Sequence, residues 1–168
     1  KTTVGRRVAE RLERPLVDSD LHIEATTGRT VKQILAEDGL EALRQAEAAA
    51  LFDALVKPTP SVICCAAGVI IDDSNVARID EARRAGSLRM VWLTGHPAVL
   101  ALRTRSRGHR PWLDDDPVGT LERMLAERSH RYEQIADLIV DVTPDGAAGS
   151  PDDAADAIVD WFTGGAGS

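Results

Sequence analysis

Lys1, Thr2 and Thr3 stand directly ahead of a helical pattern, a placement that suits phosphate binding. A lysine there can reach the outer phosphates, the hydroxyl after it can ligand Mg²⁺, and the first-turn amides add donors along the helix dipole. The tripeptide alone is a weak signal, because only the end of a G-K-[ST] loop is represented. Asp18 and Asp20 close the short apolar run Pro15-Leu16-Val17. Two carboxylates at i and i+2 beyond a strand can divide labour. One sits near Mg²⁺, directly or through water, and the other holds or deprotonates a hydroxyl. A helix N-cap or an acidic turn uses the same residues. Arg44 and Glu47, at i and i+3, share one helix face. Glu47 can fix the Arg44 fork for a carboxylate or a diol, although a surface ion pair is the plainer reading. Arg103 precedes Arg110-Pro111-Trp112-Leu113, and an arginine in such a polar, proline-bounded loop can close over phosphates. A flexible basic loop is the alternative. Arg128 and Tyr132 lie near the end of a helix that leads into a strand. There Arg128 either faces a site or complements the helix dipole.

These residues need a scaffold, and the chain alternates strand and helix patterns. Helices are expected over Val4–Leu12, Thr30–Val56 with a break near Asp38-Gly39, Asp73–Ala85, Pro97–Arg103, Val118–Tyr132 and Pro151–Phe162. Strands are expected at Pro15–Asp18, along the apolar run Ser61–Ile71, at Arg89–Leu93 and at Ala136–Val142. Ser106–Pro117 reads as a mobile loop and Gly164–Ser168 as a disordered tail. The fold class is therefore α/β, a parallel sheet with helices on both faces. Ligands in such sheets bind at the carboxyl ends of the strands, which points to Asp18-Ser19-Asp20, Ala66-Ala67-Gly68 and Thr94-Gly95.

The length of 168 residues fits one domain, and 43% hydrophobic residues are enough for a core. A net charge of −7 argues against general nucleic-acid binding. The adjacent Cys64 and Cys65, in an apolar run, read as small buried residues rather than a disulfide. No apolar run has the length of a membrane span, and a cytoplasmic monomer is the expectation.

The order and spacing of these motifs resemble the shikimate kinase family, P-loop proteins of the nucleoside-monophosphate-kinase branch. The resemblance runs from Lys1 to the last helix. Its most specific block is Asp18-Ser19-Asp20-Leu21-His22-Ile23-Glu24, followed by Gly28, Val31, Ile34, Gly39 and Leu43-Arg44-Gln45-Ala46-Glu47. Arg110-Pro111-Trp112-Leu113 resembles the family's lid motif, and Arg128-Ser129-His130-Arg131-Tyr132 with Ala136 its R-x-x-x-Y-x-x-x-A segment. The chain departs from the pattern at Ala66-Ala67-Gly68, where the family has three glycines, and at Leu35 and Leu43, where it usually has phenylalanine.

The resemblance implies a three-layer P-loop sandwich with a five-stranded parallel sheet in the order 2-3-1-4-5. Its first strand and Gly-rich loop would lie upstream of Lys1. A single kinase domain would span 1–163, with a substrate-binding region at about 20–57 and a lid at about 104–117. ATP and Mg²⁺ would be the cofactors. Lys1, Thr2, Thr3, Arg103 and Arg110 would bind the nucleotide, and Thr2 and Asp18 would hold the metal. Asp20, Arg44, Gly68 and Arg128 would bind the substrate. Lys1, Asp20 and Arg110 would carry the catalysis, a phosphoryl transfer to a hydroxyl of shikimate. A kinase of gluconate or another hydroxy acid, and a nucleotide-binding relative without turnover, remain the alternatives.

Overall fold

The computed structural model describes residues 1–105, 116–144, 146 and 148–164. Eleven elements follow in chain order: α1 (Thr2–Arg11), β1 (Leu16–Asp18), α2 (Ser19–Thr27), α3 (Val31–Leu55), β2 (Val62–Cys64), α4 (Asp73–Arg84), β3 (Val91–Thr94), α5 (Pro97–Arg105), α6 (Pro117–Ile135), β4 (Leu138–Asp141) and α7 (Pro151–Gly164). The expected disordered tail beyond Gly164 and most of the expected lid lie outside the described residues.

The strands form two parallel pairs. β1 runs beside β2 with Leu16 opposite Val62 and Asp18 opposite Cys64. β3 runs beside β4 with Val91 opposite Leu138 and Thr94 opposite Asp141. Each pair is joined through helices, α2 and α3 in the first and α5 and α6 in the second, as parallel pairing requires. Among the described residues no strand joins the two pairs into one sheet.

Hydrophobic periodicity explains the packing. Val4 and Val8 of α1, one turn apart, are buried with Val140 of β4 and Ala154, Ala155 and Ile158 of α7. Leu51 of α3 joins Ala66, Val69, Ile70, Ile79 and Ile135 in a second cluster, and α2 and α3 share a third, Ile23, Ile34, Leu43 and Ala50. Gly5 lets α1 close onto β2: a Cβ there would lie 2.2 Å from the Cys64 sulfur. No helix among the described residues is long and apolar enough to cross a membrane.

Two elements differ from the sequence expectation. The apolar run Ser61–Ile71 is a strand only over Val62–Cys64. Beyond it the chain turns, with the Val69 amide donating to the Ala66 carbonyl and the Ile71 amide to that of Gly68. Val69 and Ile70 are apolar because the turn itself is buried in the second cluster. The second difference is α2, which the helical periodicity does not announce, because Ile23 is its one buried apolar residue. Its ends are nevertheless encoded. The Asp18 side chain accepts from the Asp20 amide, and Gly28 closes the helix in the left-handed conformation at φ 69°. The expected break in α3 is present at Gly39, with φ 85°.

Candidate active site

The site gathers at the carboxyl ends of β1 and β2 and the start of α1. Asp18, the last residue of β1, is buried and uses both carboxylate oxygens. Oδ1 accepts the Asp20 amide at 3.0 Å, which caps α2. Oδ2 accepts the Thr2 hydroxyl at 2.8 Å, which ties the start of α1 to the end of β1. The two readings of Asp18, cap and site residue, are thus compatible in one side chain. A carboxylate and a hydroxyl in contact offer hard oxygen donors. No cluster of three or more histidine, cysteine or acidic residues fit for a metal is present among the described residues. A sparse oxygen set of this kind suits Mg²⁺, which takes few protein ligands and fills its shell with water and phosphate oxygens.

Lys1 is the N-cap of α1, and the first turn of that helix carries no acidic residue. Its Nζ donates to the Cys65 carbonyl at 2.8 Å, just beyond β2. Thr3 lies in the first turn, half-buried. The positive end of the helix dipole and the Lys1 ammonium therefore coincide here.

Asp20 is exposed in the first turn of α2, two residues after the buried Asp18. On α3, Arg44 Nη1 donates to Glu47 Oε2 at 2.8 Å. Glu47 is buried at 9% exposure, whereas Arg44 is half-buried. Burial pushes the Glu47 carboxyl above its ordinary range; the Arg44 charge and hydrogen bond oppose this, Asp20 adds to the rise and Lys1 to the fall. One buried carboxylate therefore senses Arg44, Asp20 and Lys1 together.

Gly68 completes this corner. A Cβ at position 68 would lie 1.3 Å from Arg44 Nη1 and 3.0 Å from Glu47 Oε2. The glycine leaves room for the Arg44 guanidinium, which any side chain here would displace. Among the described non-glycine residues only Glu13 has positive φ, so neither Ala66 nor Ala67 strains the turn. Ala66 is buried in the second core cluster, so its added methyl group packs inward. Leu43 is likewise buried, with Leu35 packed against the α2–α3 cluster.

Arg128 is half-buried on α6, and it and Arg44 both act to lower the pKa of Tyr132. Burial outweighs them and pushes the Tyr132 phenol up to about 12. The phenol donates to the Ala67 carbonyl at 2.7 Å. Tyr132 thus lies within electrostatic reach of both arginines that the sequence selects. The sequence stretch around it was legible as a motif, but the roles of Tyr132 and Arg131 were not. The available signal was spacing: Arg128, Arg131, Tyr132 and Ile135 fall at i, i+3, i+4 and i+7 on one helix face.

Arg103 lies half-buried on α5, which packs along α6. Arg110 lies outside the described residues. Cys64 and Cys65 are free thiols, and burial raises both, Cys64 to about 11. Both stay protonated at neutral pH, which leaves them the packing role expected of them.

Comparison with known proteins places this geometry in context. The family model described as shikimate kinase matches residues 1–162. The shikimate kinase of Symbiobacterium thermophilum is 39% identical over 139 residues, covering 81% of this chain and 76% of its own. That of Thermobifida fusca is 38% identical over 151 residues, covering 88% and 84%. Among solved structures, the shikimate kinase from Acinetobacter baumannii in complex with shikimate superposes with a TM-score of 0.85 at 27% identity, covering 99% of this chain and 88% of that one.

Proposed function

The chain belongs to the shikimate kinase family, and on that premise we propose that it transfers the terminal phosphoryl group of ATP to a hydroxyl of shikimate. The observation that carries the reading is the corner formed by Arg44, Glu47 and Gly68, electrostatically linked to Asp20 and Lys1. That corner joins an acceptor end to a phosphate end.

ATP and Mg²⁺ are the cofactors of this family, and the Thr2 hydroxyl with the Asp18 carboxylate would hold the metal, which neutralises phosphate charge when bound. Lys1, at the head of α1, offsets charge on the outer phosphates, with Thr3 beside it on the nucleotide side. Arg103 and Arg110 complete the nucleotide side, Arg110 as the residue that covers the phosphates. Asp20 orients the acceptor hydroxyl and takes its proton. Its exposed position at the start of α2 supports this role. Arg44 and Arg128 bind the acceptor carboxylate, which a neutral analogue would leave unpaired. Gly68 leaves the space in which Arg44 works.

The proposed sheet order is 2-3-1-4-5, with an upstream strand between β2 and β3. Its support is the pair of two-stranded parallel sheets, together with Val62 of β2 packing on the same core cluster as Val91 and Leu93 of β3. We propose a single cytoplasmic kinase domain that works as a monomer.

ADP release measured with ATP and Mg²⁺, with and without shikimate, tests the function. Shikimate-dependent release is expected, and gluconate should not replace it. Release that ignores shikimate would remove the reading.

A further inference from the structure

The turn that carries Gly68 is stapled to α6 at both ends. At one end the Tyr132 phenol donates to the Ala67 carbonyl at 2.7 Å. At the other, Arg131 Nη1 donates to the Ile70 and Ile71 carbonyls at 3.2 Å each and to Asp73 Oδ1 at 2.7 Å. Tyr132 is itself fixed, because its ring stacks on Trp92 of β3 with centroids 5.0 Å apart and planes 9° apart. The turn's own bonds are few, one from the Val69 amide and one from the Ile71 amide. Beyond the packing of Val69 and Ile70 in the second core cluster, its bonds to the rest of the chain run to α6. Gly68 in turn bounds the space of Arg44, while α6 carries Arg128.

We propose that Tyr132 and Arg131 are positioning residues that clamp the Ala67–Asp73 turn to α6 and so set the spacing of Arg44 and Arg128 for the acceptor carboxylate. This rests on the acceptor reading of the site given above. The clamp's bonds fall on the turn that bounds Arg44, with Tyr132 holding Ala67 and Arg131 holding Ile70, Ile71 and Asp73. Tyr132 suits a permanent donor, because its phenol keeps its proton throughout the physiological range.

Tyr132→Phe retains the stack on Trp92 and deletes only the bond to Ala67. Arg131→Gln releases the other end. In steady-state assays of the full chain, each substitution should raise the KM for shikimate roughly three- to tenfold, the worth of one or two hydrogen bonds. The KM for ATP and kcat should stay within about twofold. Hydrogen exchange of the Val69 and Ile71 amides should quicken in both variants by a similar factor. A shikimate KM that does not move, or a rise shared equally by ATP, overturns the proposal. If the wild type shows no shikimate-dependent turnover, the function reading fails instead, and amide exchange decides the clamp alone. Faster exchange in the variants then upholds it, and unchanged exchange overturns it.

Discussion

The guanidinium of Arg44 occupies the space that a side chain on residue 68 would fill: a Cβ built on Gly68 falls 1.3 Å from Nη1. The pair accounts for a glycine, rather than a third alanine, after Ala66 and Ala67. Gly68→Ala must push Arg44 off Glu47. Because the displaced atoms are the tip of a flexible side chain, the fold should survive. The loss of a charge-assisted contact is worth roughly ten- to a hundredfold in kcat/KM for shikimate. Calorimetric binding of ADP should be unchanged. A variant with normal shikimate kinetics would show that Arg44 does not need this location.

Asp20→Asn keeps the size of the side chain and removes its basicity. Turnover should fall by roughly 10²- to 10⁴-fold, the usual worth of a general base. ATP should still bind, because Asp20 meets Asp18 through its backbone amide, which the substitution keeps. Equilibrium binding and single-turnover rates distinguish the two effects, and near-normal turnover would end the assigned role.

Glu47 predicts a pH dependence of stability. Burial holds its carboxyl above the ordinary range in the folded chain. The folded state then keeps the proton to higher pH than the unfolded state does. The resulting stability is present below the unfolded pKa and is lost as pH rises through the folded pKa. Glu47→Gln cannot ionise, so Tm should fall less from acid to neutral pH than in the wild type. The same variant unties Arg44 and should raise the shikimate KM. A Tm profile parallel to the wild type would refute the pH argument without touching the kinetic one.

The hydroxyl of Thr2 meets Asp18 at 2.8 Å, and this contact should govern the metal requirement. Thr2→Val preserves shape and removes the oxygen. Activity should drop at least about tenfold, with the Mg²⁺ titration midpoint moved upward. Thr2→Ser should stay near the wild type. An unshifted midpoint in Thr2→Val would take Thr2 out of the metal site.

Much of this was legible in the sequence, and the exceptions have physical causes. α1 is readable from its apolar spacing and α4 from the signals at its ends, and the pairing of Arg44 with Glu47 follows from helix geometry. α2 was not, because with one buried apolar residue its stability comes from Asp18 and Gly28 at its ends. The run Val62–Ile71 misleads because a buried turn and a buried strand have the same composition. Asp18 could be read as a cap or as a site residue, and its two oxygens serve both neighbours. The contact of Tyr132 with Ala67 spans 65 residues and has no local signature.

The packing of α2 against α3 has a consequence for substitution. Ile23, Ile34, Leu43 and Ala50 form a core of their own, apart from the cluster that unites α1, β4 and α7. Drift in that small core, such as leucine at 35 and 43, leaves the packing behind Lys1 and Thr2 untouched. On the proposed assignment, substitutions at the acceptor end can therefore be absorbed without repacking the phosphate end.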